Sequence, residues 1–261
     1  MKYIVCKAKF FLALKGVITI SKPPIPFYIT RFLAKGLFNI LFNIEVKGKD
    51  NIPKDDNYII IANHLNWSDP FFIFMLFPAA PKIIFIAENE GIYDNEKKKK
   101  FINIMGKPII PIHRDQTKSR IKAIRSMIRI VKKGNNLAVF PEGRLGHAEG
   151  QIFPFYIGVF SVAKKLNVPI IPVAFSGTKE LSFRNPIKVN IGELTYCKKE
   201  ESDEDFAKRI ALKMRNLLPE YPGEGHFPNT MNWLTDLFQE GLRPFNGEYT
   251  LIIDKDDSKE E

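Results

Sequence analysis

Seven short runs rich in β-branched residues alternate with longer helical patterns between residues 44 and 218. This alternation restricts the possible folds more than any other feature of the sequence. Alternating strands and helices are typical of a sheet whose strands are joined by helices that cover its faces. We therefore predict an α/β fold built on a single mixed, largely parallel sheet. The runs are residues 44–46, 58–62, 83–87, 109–112, 137–140, 170–175 and 187–191.

The helical pattern is clearest before the fifth run, where four apolar residues recur at helical spacing and basic residues occupy the other faces. The apolar residues are Ile121, Ile124, Ile128 and Val131. A last helix is predicted over residues 203–218. We assign residues 45–250 to one α/β domain that is large enough to be catalytic, and residues 251–261 to a charged tail that is predicted to be disordered.

Residues 1–44 differ in composition from the rest, with seven basic residues and no acidic one. Prolines 23, 24 and 26 divide this segment into two predicted helices, because proline does not continue a helix. We predict a two-helix membrane-association segment. No apolar run reaches the ~20 residues needed to span a bilayer, so a peripheral or monotopic position on the cytoplasmic face of the cell membrane is expected.

In the second of these helices, Arg31, Lys35, Asn39 and Asn43 recur every four positions and would share one face. This pattern predicts a helix in the headgroup region of a membrane with its basic face outward. The alternative is a helix packed mostly inside the domain, with its basic face in water.

A net charge of +10 indicates an anionic partner: nucleic acid, a membrane surface or a phosphorylated substrate. Residues 97–133 hold thirteen basic residues and one acid, but no base-reading motif and only one aromatic residue, Phe101, among the charges, so nucleic acid is not favoured. The two cysteines support neither a disulfide framework nor a zinc site. We expect no metal and no bound cofactor.

His64 and Asp69 form the first candidate for chemistry, in a turn directly after a predicted strand. An aspartate that accepts from one ring nitrogen leaves the other nitrogen free to take a proton. None of the other three histidines has an aspartate five positions later. Because no G-x-S-x-G motif is present, the hydroxyl that is activated is expected to belong to the substrate. The alternative is a structural histidine with Asp69 as a helix cap.

Two further motifs follow strands. The turn Phe140-Pro141-Glu142-Gly143-Arg144 could bring backbone N–H groups and a guanidinium to an anion, or be an ordinary turn. The fourth predicted strand delivers Arg114 at its end, where it could bind a phosphate or pair with Asp115.

Taken in order, these motifs resemble the glycerophospholipid acyltransferase family, with its NHxxxxD block, its G-x-I-x-x-x-R block, its FPEG block and a proline-bearing strand. The corresponding residues are Asn63–Asp69, Gly106–Arg114, Phe140–Gly143 and Val168–Val173. The resemblance covers residues 40–195. It implies that His64, oriented by Asp69, deprotonates the hydroxyl of a lysophospholipid, which then attacks an acyl-CoA or acyl carrier protein thioester.

The resemblance also implies which residues contact the substrates. Arg114 would bind the acceptor phosphate, Glu142 and Gly143 would shape the acceptor pocket, and Asn63 and Arg144 would complete the substrate-binding set. The expected acceptor is 1-acyl-glycerol-3-phosphate, which gives phosphatidic acid in phospholipid biosynthesis. Another lysophospholipid such as lysophosphatidylethanolamine is an open alternative, as is a non-catalytic membrane-binding protein on the same scaffold. Oligomeric state and acyl-chain length are not predicted.

Overall fold

The structure is a computed structural model that describes residues 25–54, 56–80, 82–88, 109–112, 117–223 and 230–231. Its strands are β1 (Phe42–Lys47), β2 (Ile59–Ala62), β3 (Ile83–Glu88), β4 (Ile109–Ile112), β5 (Asn136–Val139), β6 (Ile170–Ser176) and β7 (Asn185–Ile191). Its helices are α1 (Ile25–Leu41), α2 (Asp69–Leu76), α3 (Thr117–Lys132), α4 (Gly158–Leu166) and α5 (Asp203–Leu217). All seven predicted strands are present, within two residues of their predicted bounds.

The strands form one sheet in the order β1-β7-β6-β2-β5-β3-β4. The five strands from β6 to β4 are parallel to one another, β7 is antiparallel to β6, and β1 is parallel to β7. The predicted mixed, largely parallel sheet is therefore confirmed. Strands β2, β5 and β6 are buried along their whole length, as expected for central strands that are covered on both faces.

Two hydrophobic cores lie on opposite faces of this sheet. On one face, Ile60 and Val173 pack with α2 and with residues of α1. On the other face, Ile59 and Leu137 pack with α3, α4 and α5. The alternation of side chains along β2 separates the cores, because successive residues of a strand point to opposite faces. Helices α1 and α3 are thus on opposite sides of the molecule.

Helix α1 departs from the predicted outward basic face at Arg31. Arg31 points inward and donates hydrogen bonds to the carbonyls of Phe74, Met75 (3.1 Å) and Phe77, at the end of α2. A guanidinium is well placed there, because the last carbonyls of a helix lack partners within the helix and carry partial negative charge. Phe38 also faces the core, with its ring centroid 5.3 Å from that of Phe72.

The apolar residues of α1 consequently face outward. Phe32 is 77% exposed, and the other members of this exposed face are Ile25, Ile29, Leu33, Leu37 and Ile40. The predicted outward basic face is wrong for Arg31, and the exposed apolar residues contradict the alternative of a helix packed mostly inside the domain. Association of this helix with a membrane stays a prediction. Lys35 remains exposed, whereas Asn43 belongs to β1 and not to the helix.

The predicted boundary between residues 44 and 45 falls inside β1, so α1 leads into the sheet without a linker. The first predicted helix of residues 1–24 and the tail of residues 251–261 lie outside the described residues. Within the described ranges, no helix has the length and apolar character needed to cross a membrane.

Candidate active site

The candidate site lies at the carboxyl edge of the central parallel strands. His64 follows β2 and Phe140 follows the adjacent strand β5, so parallel pairing brings the two residues together. Their rings stack, with centroids 4.0 Å apart and planes inclined by 19°. The crevice at the carboxyl ends of strands is where open α/β sheets bind their ligands. Two blocks that are 76 positions apart in sequence are therefore parts of one site.

Asp69, the first residue of α2, holds the His64 ring. Its Oδ2 atom accepts a hydrogen bond from His64 Nδ1 at 2.9 Å. The same oxygen accepts from the backbone N–H of Leu65 at 2.6 Å and of Asn66 at 2.8 Å. Asp69 is fully buried, whereas the His64 side chain is 19% exposed. Because an oxygen that receives two backbone N–H groups acts as an acceptor, Nδ1 carries the hydrogen and Nε2 is left with its lone pair.

The backbone of His64 is fixed on both sides by the loop that follows β5. Its carbonyl accepts from the N–H of Gly146 at 2.6 Å, and its N–H donates to the carboxyl group of Glu142. A Cβ on Gly146 would lie 3.0 Å from the Leu65 side chain, so this close approach favours glycine. The loop therefore fixes the position from which the His64 ring projects.

Asn63 is fully buried and ties the end of β2 to β6. Its Nδ2 donates to the Phe175 carbonyl at 3.1 Å, and its Oδ1 accepts from the Phe175 N–H at 2.8 Å. The structure thus shows Asn63 as a buried link between the strands next to His64, and a contact between Asn63 and the substrate stays a prediction.

Glu142 lies beneath the site rather than open to solvent, at 4% exposure. Its Oε2 accepts from the N–H of Phe153 at 3.2 Å. Burial raises the pKa of Glu142 from 4.5 to about 8, although the N–H groups of Phe153 and His64 and the charge of Arg144 oppose this shift. The carboxyl group is therefore largely protonated at neutral pH, a state in which it can also donate a hydrogen bond.

Gly143 and Arg144 complete the turn. Gly143 has φ of +66°, a conformation that favours glycine, and a Cβ there would lie 2.5 Å from the ring of the half-exposed Tyr156, which would have to shift. Arg144 is buried, with its guanidinium carbon 3.5 Å from the centroid of the Phe153 ring. This packing places the guanidinium within the loop, and a role for Arg144 in binding phosphate stays a prediction. Arg114 lies outside the described residues.

A cluster after β6 was not predicted from the sequence. Glu149 accepts from the Ser176 hydroxyl at 3.0 Å and from the Lys179 N–H at 3.0 Å, and Lys179 Nζ donates to the Gly146 carbonyl at 2.7 Å. These bonds fasten the loop that holds His64 to the end of β6. Nothing in the sequence spacing connects Glu149 to Lys179, because their proximity depends on strand order. The described residues contain no group of three or more potential metal ligands.

Sequence comparison shows which known proteins this chain is similar to. The sequence model of the Acyltransferase family matches residues 43–176, which hold both motifs of the site. The 1-acyl-sn-glycerol-3-phosphate acyltransferase of Streptococcus pneumoniae is 30% identical over 203 residues, which cover 73% of this chain and 72% of that protein. A chloroplastic 1-acyl-sn-glycerol-3-phosphate acyltransferase of Brassica napus is 27% identical over 141 residues, and this match covers 54% of the present chain but only 39% of the plant protein.

The fold is also similar to a solved structure. The crystal structure of the 1-acyl-sn-glycerophosphate acyltransferase PlsC from Thermotoga maritima matches with a TM-score of 0.61 and 24% identity. The match covers 73% of this chain and 77% of that one. Since the family model spans half of the chain and the streptococcal relative matches most of both proteins, the protein described here belongs to the acyltransferase family.

Proposed function

We propose that the protein transfers a fatty acyl group from an acyl thioester to the free hydroxyl of 1-acyl-glycerol-3-phosphate, giving phosphatidic acid at a membrane surface. The acceptor follows the names of the relatives, which are 1-acyl-sn-glycerol-3-phosphate acyltransferases. The observation that carries the chemistry is the bond between His64 Nδ1 and Asp69 Oδ2, at 2.9 Å. It leaves His64 Nε2 as a base at the partly exposed end of the pair.

In the proposed reaction, His64 Nε2 takes the proton of the glycerol hydroxyl as its oxygen attacks the thioester carbonyl carbon. Asp69 stabilises the positive charge that then develops on the imidazole ring. Collapse of the tetrahedral intermediate breaks the carbon–sulfur bond, and the imidazolium returns the proton to the departing sulfur. The products are a diacyl phospholipid and a free thiol, and His64 is regenerated as a base.

The acyl group is proposed to pass directly between the two substrates. Among the hydrogen bonds of the described residues, none joins His64 to the hydroxyl of a serine or threonine, or to a cysteine thiol. Cys197 packs against the core on the α3 side of the sheet, and burial raises the pKa of its thiol. Such a thiol is a poor nucleophile at neutral pH. Within the described part of the chain, a covalent acyl-enzyme therefore has no serine, threonine or cysteine that is hydrogen-bonded to His64.

The exposed face of α1 is proposed to lie in the membrane interface on the cytoplasmic side. A helix that presents Phe32, Leu33 and Leu37 to solvent exposes apolar area that membrane insertion would remove from water. Burying one such side chain fully contributes about 1.5–3 kcal/mol. Arg31 contributes by fixing α1 to α2, whose first residue is Asp69, so the interfacial helix is coupled to the catalytic pair.

The test uses the purified full chain with vesicles, a labelled acyl thioester and a panel of lysophospholipids, followed by identification of the product. Phosphatidic acid is the expected product. His64→Ala should lower kcat by roughly 10²- to 10⁴-fold, as expected for the loss of a general base. His147→Ala, an exposed histidine on a nearby loop, is the matched control. No product from any donor and acceptor pair would refute the proposal, and full activity of His64→Ala would remove His64 from the mechanism.

Membrane binding is tested separately by vesicle flotation. Replacing Phe32 and Leu37 with serine should weaken vesicle binding at least about tenfold, because two exposed apolar side chains are lost. Asn39→Ser, also exposed on α1, is the control and should float like the wild type. Unchanged flotation of the double variant would show that α1 does not contact lipid.

A further inference from the structure

Helix α3 carries a row of exposed basic side chains that the proposed chemistry does not use. Lys122, Arg125, Arg129 and Lys132 follow at intervals of three, four and three residues, so they share one face of the helix, and all four are exposed. We refer to them as the basic row. The opposite face of α3 is buried through Ala123, Met127 and Val131.

The basic row is not neutralised by neighbouring acids. No aspartate or glutamate occurs between residues 116 and 141. Within the described ranges, none of the four side chains takes part in an ion pair. The helix dipole favours cations in the last turn, which accounts for Arg129 and Lys132 but not for Lys122 and Arg125 nearer the start. Ile121, which is 47% exposed, lies beside these two residues.

The position of the basic row argues against lipid as its partner. Residues of α1 pack on one core and those of α3 on the other, across the sheet. If the apolar face of α1 contacts the membrane, the basic row lies on the opposite side of the molecule, facing the aqueous phase. An anionic partner at this position is a soluble one.

The row also leads towards the catalytic edge. Helix α3 follows β4, which is parallel to the central strands, so the helix begins at the carboxyl edge where His64 lies. From Lys122 to Lys132 the row extends over ten residues, or about 15 Å at the helical rise. The phosphates of a coenzyme A thioester belong to one nucleotide and would contact part of this length, whereas the acidic surface of a small protein could follow all of it.

We propose that the basic row docks an acidic acyl carrier protein, which presents its acyl thioester to His64 on a flexible prosthetic arm. The inference rests on the proposed function, since it names the donor for that same site. Complementary charge speeds the encounter of two proteins and is screened by salt. The KM for an acyl carrier protein donor should therefore rise with ionic strength.

The experiment compares two donors on the full chain in vesicles: palmitoyl acyl carrier protein and palmitoyl-CoA. The triple variant Lys122→Glu, Arg125→Glu and Arg129→Glu should raise the KM for the carrier protein at least about tenfold at low salt, with a change of less than about twofold for palmitoyl-CoA. The control reverses three exposed basic residues elsewhere, Lys199, Lys208 and Arg215, and should change neither value. This control has the same net charge as the test variant.

The outcomes separate the competing explanations. An equal rise in KM for both donors would assign the row to nucleotide phosphates or to general stability, and would overturn the proposal. Loss of vesicle binding would assign the basic row to lipid, and no change in either KM would show that the row is only a solvated surface. Either result would also overturn the proposal. A wild type that accepts palmitoyl-CoA but not the carrier protein would refute this docking while the proposed function stands. A wild type that uses neither donor would refute the proposed function itself.

Discussion

Three N–H donors converge on one oxygen of Asp69, and this arrangement predicts different outcomes for two substitutions of that residue. In Asp69→Asn, the amide oxygen can take the place of Oδ2 and still accept from His64, Leu65 and Asn66. The ring then keeps its orientation and its tautomer, and only the negative charge is lost. In Asp69→Ala, both the charge and the acceptor are lost.

The magnitudes follow from this difference. A hydrogen bond to a charged group contributes about 1.5–3 kcal/mol and a neutral one about 0.5–1.5 kcal/mol, so removing the charge should cost about 1–2 kcal/mol in the transition state. Since 1.36 kcal/mol corresponds to a factor of ten, kcat of Asp69→Asn should fall about 5- to 30-fold. Asp69→Ala also frees the ring, so its kcat should fall by roughly 10²- to 10⁴-fold, like that of His64→Ala.

Stability distinguishes the variants as well. Asp69→Ala leaves the N–H groups of Leu65 and Asn66 without their acceptor in a buried site, at about 1–3 kcal/mol each. Asp69→Asn instead places an amide NH₂ where Oδ1 now lies, a buried atom that has no hydrogen-bond partner among the described residues. One unsatisfied group is then expected, with a loss of about 1–3 kcal/mol.

The assay measures kcat with saturating donor and acceptor in vesicles, beside urea denaturation of each variant to confirm that the assayed protein is folded. Asp205→Asn, a change of the same kind at an exposed position in the first turn of α5, is the control. If Asp69→Asn is as slow as Asp69→Ala while still folded, the amide has not kept the tautomer, and the reasoning from three convergent donors is refuted.

Three further substitutions test the loop and the helix ends. Gly143→Ala should lower both kcat and the urea midpoint, because a Cβ there meets Tyr156 at 2.5 Å and the backbone has positive φ. Gly150→Ala has similar φ but open space, so it should cost only the conformational strain. If the two variants lose equal amounts of kcat and of urea midpoint, the steric argument is contradicted. Burial raises the pKa of Glu142 to about 8, so the native state binds an extra proton from about pH 4.5 to 8, and stability falls as pH rises through that window. Glu142→Gln should remove this fall, as measured by urea denaturation at pH 5 and pH 8. An unchanged difference in unfolding free energy between the two pH values would refute the raised pKa. Ser202→Ala should lower the unfolding free energy by about 1 kcal/mol without changing kcat, because the Ser202 hydroxyl caps α5 at 3.0 Å, and an unchanged midpoint would show that the cap contributes nothing.

The sequence alone determined the architecture and the contact between His64 and Asp69. Each strand was predictable because short β-branched runs and helical periodicity are local signals, and the long helices α3 and α5 were found within four residues of their predicted bounds. The contact between His64 and Asp69 was predictable for the same reason. Five positions across one turn into α2 leave few conformations, and the side-chain types fix the chemistry.

Only the tertiary structure decided which face of each helix or strand packs against which neighbouring element. The periodicity of α1 defines two faces, but whether Arg31 points to solvent or to the end of α2 depends on where α2 ends in space. The partner of Asn63 is known only once β6 is placed beside β2, because both atoms of its amide then bond to the backbone of Phe175. Arg144 looks like a free cation until Phe153 covers it. In each case the partner is distant in sequence, so no local spacing could reveal a contact that strand order and packing create.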